Sequence, residues 1–242
     1  MWLWFEEGDL MFTALYPSFV LVKHDLLTPD VNRQLAEIAI EDGARHRVVD
    51  NADPRNLGTA DSPFGHIRHN LLFEYRGEPA VDAWLGLARR GVAEYLQRGY
   101  GAEMPESLTA IAEPFVQEGA HPENCVGIFT HTHPKADLVV TYYPQVCFGE
   151  SGPERFQDGA LRFYDPAGRG NRIWPNQNPG IFTGSWYEVR PRTGTLVVFE
   201  GHMPHDAQPF KGVRRVCLPL QVSLRFPNAQ NPIEIGGSSH GL

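Results

Sequence analysis

Cysteine is scarce in this chain and widely spread. Cys125, Cys147 and Cys217 are the three in 242 residues, and their spacing fits neither a disulfide framework nor a zinc knuckle. No apolar stretch approaches the ~18 residues of a membrane span, so no membrane partner is expected. Runs of Lys and Arg are lacking too. With 21 basic residues against 29 acidic ones and a formal charge of −8, the chain repels phosphate backbones, and nucleic acid is not an expected partner. The opening segment MWLWFEEGDLM has no basic stretch and carries three early acids. No signal peptide is expected from it, and the cytoplasm is the expected compartment.

What is present describes one folded domain. Hydrophobic residues make up 42% of the chain, enough at this length for a sizeable core. The 24 Gly and 20 Pro, 44 of 242 residues, stay below the roughly 25–30% of low-complexity chains. Two helices are legible, both in the first hundred residues. Thr28-Pro29-Asp30 supplies an N-cap, a proline at the first helical position and an early acid, and Val31, Leu35 and Ile38 follow at helical spacing before Gly43. The second helix starts near Pro79; Val81, Trp84, Leu85, Ala88, Val92, Tyr95 and Leu96 form its stripe, and Gly99 ends it. Between them, Leu71–Tyr75 reads as a short strand.

After Gly101 the pattern changes to short apolar runs broken by Gly and Pro, at 108–117, 125–133, 138–143, 160–164, 186–190, 195–199 and 213–226. Seven short strands of this kind point to a sandwich or barrel with the helices packed on one sheet. The expected division is helical and strand support over 1–105, a β core over 106–228 and a tail over 229–242, all within a single domain. Residues 165–185 form a long loop with Trp174, of a length that is usually functional in a compact domain.

Histidine is unevenly placed. Four of the ten lie between 131 and 205. In CVGIFTHTHP (125–134), strand alternation puts Cys125, Gly127, Phe129, His131 and His133 on one face, which makes a natural metal clamp or, alternatively, a pair of exposed strand-end histidines. TGTLVVFEGHMPH (193–205) is a turn, a β-forming run and two further histidines. Ten residues beyond His205, Arg215 sits in a mainly apolar run, where a guanidinium needs a buried anion or an escape to the rim. Arg214 falls on the opposite face. His202 reads as a loop residue, His66 and His69 as solvated, and Trp186 as either a cleft wall or core.

The ordered series H-x-H-P (131–134), L-V-V-T-Y-Y (138–143), G-A-L-R-F-Y-D-P (159–166), P-x-x-G-x-L-V-V-F (191–199), His205 and Arg215 resembles bacterial 2-oxoglutarate/Fe(II)-dependent oxygenases over about residues 110–226. The resemblance implies a double-stranded β-helix (jelly-roll) core, Fe(II) held by His131, His133 and His205, and 2-oxoglutarate held through its distal carboxylate by Arg215. It also implies the reaction: oxidative decarboxylation to succinate and CO₂, with a ferryl species hydroxylating a small-molecule or peptide substrate. Two positions depart from the wider pattern. His133 stands where an acid is usual, with Asp137 and Asp165 as alternative acids. Cys217 stands where a serine would help bind the cosubstrate, and a thiol is the weaker donor. Tyr143 or Tyr142, on opposite faces of one strand, supplies the missing hydroxyl. Two other readings fit the same residues: a three-histidine, cupin-like metalloenzyme (dioxygenase or zinc hydrolase) that does not use 2-oxoglutarate, and a non-catalytic jelly-roll binding module.

Overall fold

The computed structural model describes residues 18–46, 70–105, 107–112, 115–118, 127–149, 158–164 and 186–225. In chain order these form β1 (Val20–Lys23), α1 (Pro29–His46), α2 (Leu71–Glu74), α3 (Pro79–Tyr100), β2 (Ser107–Ala112), β3 (Phe115–Glu118), β4 (Ile128–His131), β5 (Leu138–Cys147), β6 (Leu161–Tyr164), β7 (Trp186–Val189), β8 (Thr195–Glu200), β9 (His205–Ala207) and β10 (Arg214–Arg225).

The two long helices begin at local start signals, a capping threonine for α1 and a first-turn proline for both. The Thr28 hydroxyl accepts from the Val31 amide at 3.4 Å, and Pro29 opens α1. Pro79 opens α3, which ends with Gly101 at φ 63°, a left-handed turn that glycine adopts without a Cβ penalty. The stripe read from the sequence is the buried face of α3, with Trp84, Val81, Val92 and Tyr95 at most 2% exposed.

Among the described residues, ten strands make two antiparallel sheets. The six-stranded sheet runs β1-β8-β5-β10-β2, with β3 also on β10, and the four-stranded sheet runs β4-β9-β6-β7. The architecture is a double-stranded β-helix. Alternation divides the large sheet's side chains between two cores. Leu138, Val140, Tyr142, Leu196, Val198, Leu218 and Leu220 pack against the helices. Val139, Tyr143, Val197, Phe199 and Cys217 point the other way and meet Leu161, Phe163 and Val189 of the small sheet. The helices therefore lie on one face of one sheet, as expected, and the opposite face closes the barrel interior.

Four expectations need correction. Leu71–Tyr75 is not a strand: Leu71–Glu74 is a helical turn capped by Asn70, whose side chain accepts from the Leu72 amide at 3.2 Å. Asn70 also bonds to Ala110 and Ala112 of β2, so tertiary contacts override the β-forming Phe and Leu. The run 108–117 is two strands. The break falls opposite Pro219, between the pairs Leu220–Ala112 and Cys217–Phe115, where a proline has no N–H to donate. The run 125–133 contracts to β4, whose pairing with β9 shifts between Ile128 and His131, so simple alternation fails and His133 lies beyond the strand. Two short strands, β1 and β9, were not foreseen. Cys125, the loop 165–185 with Asp165 and Trp174, His66, His69 and the tail 229–242 lie outside the described residues. Among the described residues, no helix is long and apolar enough to cross a membrane.

Candidate metal centre

Three short elements bring three histidines together. His131 ends β4 and His205 begins β9, and the two are directly paired across the small sheet. His133 follows on a loop held from two sides. Its amide donates to Gly201 O at 2.7 Å, and the Gly201 amide donates to Asp137 O at 2.9 Å. A Cβ on Gly201 would sit 2.0 Å from Ala136 O and 2.8 Å from His133 O, so only glycine allows this turn to press against the His133 loop. The same loop is stitched to β10: Asp137 N donates to Val222 O at 2.9 Å, Leu224 N to the Asp137 carboxylate at 2.6 Å and Ser223 Oγ to Lys135 O at 3.1 Å.

The result is a compact donor set. One ligand atom from each of His131, His133 and His205 falls within 4.8 Å of the others. Ring centroids are 4.3 Å apart for His131–His205, 5.0 Å for His131–His133 and 5.1 Å for His133–His205. Burial holds all three neutral. It pushes the His205 imidazole down to about 3, with His131 adding to the effect and the Met203 carbonyl opposing it. It pushes His133 down to about 4, helped by His131 and opposed by the nearby Gln221 side chain. His131 is lowered by burial against the Phe129 carbonyl. Three neutral imidazoles fit a divalent transition metal such as iron or zinc. Phe199 packs edge-on against His205, with ring centroids 4.7 Å apart, and Phe163 lies behind it at 6.1 Å.

Further along the same interior lies a buried cation. Arg215 is 2% exposed; its guanidinium stands 5.1 Å from the centre of the Tyr143 ring, and Nη2 donates to the Tyr143 hydroxyl at 3.4 Å. Cys217 shares that face. Burial pushes its thiol up to about 11, against the pull of Arg215 and a hydrogen bond to Tyr143, so it stays protonated. Burial likewise raises the Tyr143 phenol, with Arg215 opposing. Gly159, at φ 68°, makes room for the arginine stem: a Cβ there would lie 2.9 Å from Arg215 Cδ.

Of the residues singled out from the sequence, the structure brings His131, His133 and His205 into one cluster and Arg215, Tyr143 and Cys217 into another. Tyr142 is on the far side of β5, where its hydroxyl donates to Asn32 Oδ1 at 2.6 Å. Asp137 is spent on the Leu224 amide and stands outside the histidine cluster. His202 is exposed and meets Glu200 at 3.5 Å. Trp186 is not a core residue; it is 42% exposed and covers Arg162 at 4.8 Å on the outside of the small sheet. Sequence reasoning missed Gly159 and Gly201.

Comparison with known proteins bears on the fold. No family model matches the chain, and no curated protein matches it. Solved structures do. A prolyl-4-hydroxylase from Pseudomonas putida is 17% identical and aligns over 85% of this chain and 92% of its own, with a TM-score of 0.50. A prolyl hydroxylase from Trichoplax adhaerens, solved with a hypoxia inducible factor peptide fragment, is 12% identical over 84% and 82%, with a TM-score of 0.52. AviO1 from Streptomyces viridochromogenes is 15% identical over 85% and 90%, with a TM-score of 0.50. At these identities the common property is the fold, and the double-stranded β-helix described above is the fold this chain shares with them.

Proposed function

We propose that the protein is a 2-oxoglutarate- and Fe(II)-dependent oxygenase that hydroxylates a small-molecule or peptide substrate. The observation that carries this reading is the pairing, inside one barrel, of a neutral three-histidine cluster with a buried arginine. A divalent metal on three neutral ligands keeps its full charge, and Arg215 adds another. Such an interior favours a dianion with two separated carboxylates over a neutral ligand. The likeness in fold to two prolyl hydroxylases supports the same reading.

In this reading the roles follow from chemistry already described. His131, His133 and His205 hold the metal through neutral imidazole nitrogens. Arg215 grips the distal carboxylate with parallel N–H donors, a geometry that a guanidinium offers and an ammonium does not. The Tyr143 hydroxyl and the Cys217 thiol complete that end, the hydroxyl as the stronger donor. Phe163, Phe199, Val139 and Val197 belong to the apolar interior core, which would keep water from the reacting groups. Iron(II), when bound, supplies the activation of O₂ that drives oxidative decarboxylation of the cosubstrate to succinate and CO₂.

The test is a calorimetric titration of 2-oxoglutarate into anaerobic, Fe(II)-loaded protein. Wild-type protein binds, and R215A loses at least about a hundredfold in affinity, the scale set by removing one partner of a buried charge pair. Unchanged binding in R215A overturns the assignment. The acid-free donor set favours one alternative, a three-histidine metalloenzyme that needs no cosubstrate. Metal binding without any 2-oxoglutarate binding selects that reading, and absence of metal binding selects a non-catalytic jelly-roll module.

A further inference from the structure

His205 opens β9, a strand only three residues long. Its ladder is correspondingly thin. On the β4 side the register shifts between Ile128 and His131. On the β6 side the pairs are Leu161–Ala207, Arg162–Asp206 and Phe163–His205. Register matters here because alternate side chains of a strand point to opposite faces. His205 faces the barrel interior with Phe163 and Phe199, and Asp206 faces outward. A slip of one residue exchanges the two and puts a carboxylate where the imidazole belongs.

One residue of β6 spans His205 from the outer face. The Tyr164 amide donates to the Pro204 carbonyl at 2.8 Å, one residue before His205. The Tyr164 hydroxyl donates to Asp206 Oδ2, one residue after it. The other carboxylate oxygen is also engaged, by Gln208 Nε2 at 2.9 Å, and the Gln208 amide donates to Ala160 O at 2.8 Å. Asp206 is 8% exposed, and Arg162 stands directly opposite it in the pairing, a neighbour of opposite charge on the same face. The outer face is thus built to receive this carboxylate in one register.

We propose that Tyr164 and Asp206 are positioning residues of the metal centre: their hydrogen bond, together with the Tyr164 backbone bond to Pro204, clamps β9 on both sides of His205 and sets the aim of its imidazole. The inference rests on the metal-site reading above and adds to it two residues on the opposite face of the sheet. The His205 ring is itself tied to the turn before it, with Nδ1 facing Met203 O at 2.9 Å. The clamp fixes the backbone on which that ring pivots. A donor held in place before the metal arrives binds more tightly than one that must be ordered. The bond needs a hydroxyl at 164 and an acceptor at 206. Asparagine at 206 keeps the acceptor, whereas Y164F and D206A each remove one end.

The experiment uses the full chain with Co(II) alone, so that neither 2-oxoglutarate nor turnover enters. Co(II) affinity and the visible absorption of the saturated complex are measured for wild type, Y164F, D206A, D206N and Y164F/D206A. Y164F and D206A are each expected to bind Co(II) about tenfold more weakly, with altered absorption at saturation. The double variant is expected to be no weaker than the weaker single one, because both changes remove the same bond. D206N is expected to restore wild-type affinity and absorption. Wild-type affinity and absorption in Y164F overturn the clamp, even where metal-free stability falls, since that outcome makes the bond structural only. Additive losses in the double variant overturn it as well, as does a D206N protein as weak as D206A. A wild-type chain that binds no Co(II) overturns the metal site itself, and this inference with it.

Discussion

Tyr142 and Tyr143 are neighbours in the chain, are both fully buried, and live in different environments. Tyr142 faces the helices. Around it the core is almost wholly apolar, and its hydroxyl closes a single hydrogen bond to Asn32. Tyr143 faces the barrel interior, beside Arg215 and Cys217. Burial raises the phenol of both, Tyr142 up to about 12, yet the polar groups near Tyr142 satisfy one another, whereas those near Tyr143 surround a cation. One face of the sheet is built for stability and the other tolerates buried charge. Burial alone does not separate core from site; the chemical type of the buried groups does.

The largest effect that sharpens this comparison is expected on the interior side. H205A removes a donor from the metal cluster and is predicted to lower Co(II) affinity by more than about a hundredfold. Its thermal unfolding without metal stays close to that of wild type. A large drop in metal-free stability instead makes His205 a core residue.

On the helix side the pattern reverses. Leu218 is 1% exposed within the helix-facing core, and L218A is predicted to cost about 2–5 kcal/mol in urea unfolding with metal affinity unchanged. Coupled loss of both properties breaks the division between the two faces.

Acid tests the histidines as a group. Their ordinary value is near 6.5, and burial depresses all three, His133 to about 4 and His205 to about 3. Below pH 6.5 the unfolded chain takes up protons that the folded chain refuses, so metal-free stability falls as pH drops toward 4. Above 6.5 these groups add no slope. Each contributes at most about 1.4 kcal/mol per pH unit inside that window. Urea unfolding of wild type and H205N at several pH values checks it, and the variant is expected to show the shallower slope between pH 6.5 and 4.

The smallest effects come from the tyrosine pair. Y142F leaves Asn32 Oδ1 without its donor and is expected to cost about 1–2 kcal/mol of stability, with no change in 2-oxoglutarate affinity. Y143F is expected to weaken 2-oxoglutarate about tenfold with little change in stability. Exchanged phenotypes contradict the assignment of faces.

Much of this arrangement is legible in the amino-acid sequence. The Thr28 cap and Pro79 at the first position of its helix are local chemistry, so α1 and α3 start where expected. His131, His205 and Arg215 sit at the ends of strongly β-forming runs, so their spacing carries the site. What escaped reading was non-local. Asn70 turns Leu71–Glu74 into a helix by bonding to a strand forty residues away. The shift of register in β4 breaks the alternation that was expected to align His131 with His133; the two converge because Gly201 and β10 hold the loop between them. The interior position of Tyr143 follows from the large sheet's pairing with the helices, which no pair of adjacent tyrosines reveals. β9 is three residues long, too short for a periodic signal, although it carries His205.

The central claim is that metal and 2-oxoglutarate share one interior. Linkage tests it most directly, because two ligands that interact must change each other's affinity by the same factor. Mn(II) affinity is to be measured anaerobically with and without saturating 2-oxoglutarate, in wild type and in R215A. 2-Oxoglutarate is expected to tighten Mn(II) binding by tenfold or more in wild type, whereas R215A keeps the basal affinity but loses the tightening at the same 2-oxoglutarate concentration. Equal Mn(II) affinity with and without 2-oxoglutarate in the wild-type protein contradicts the claim.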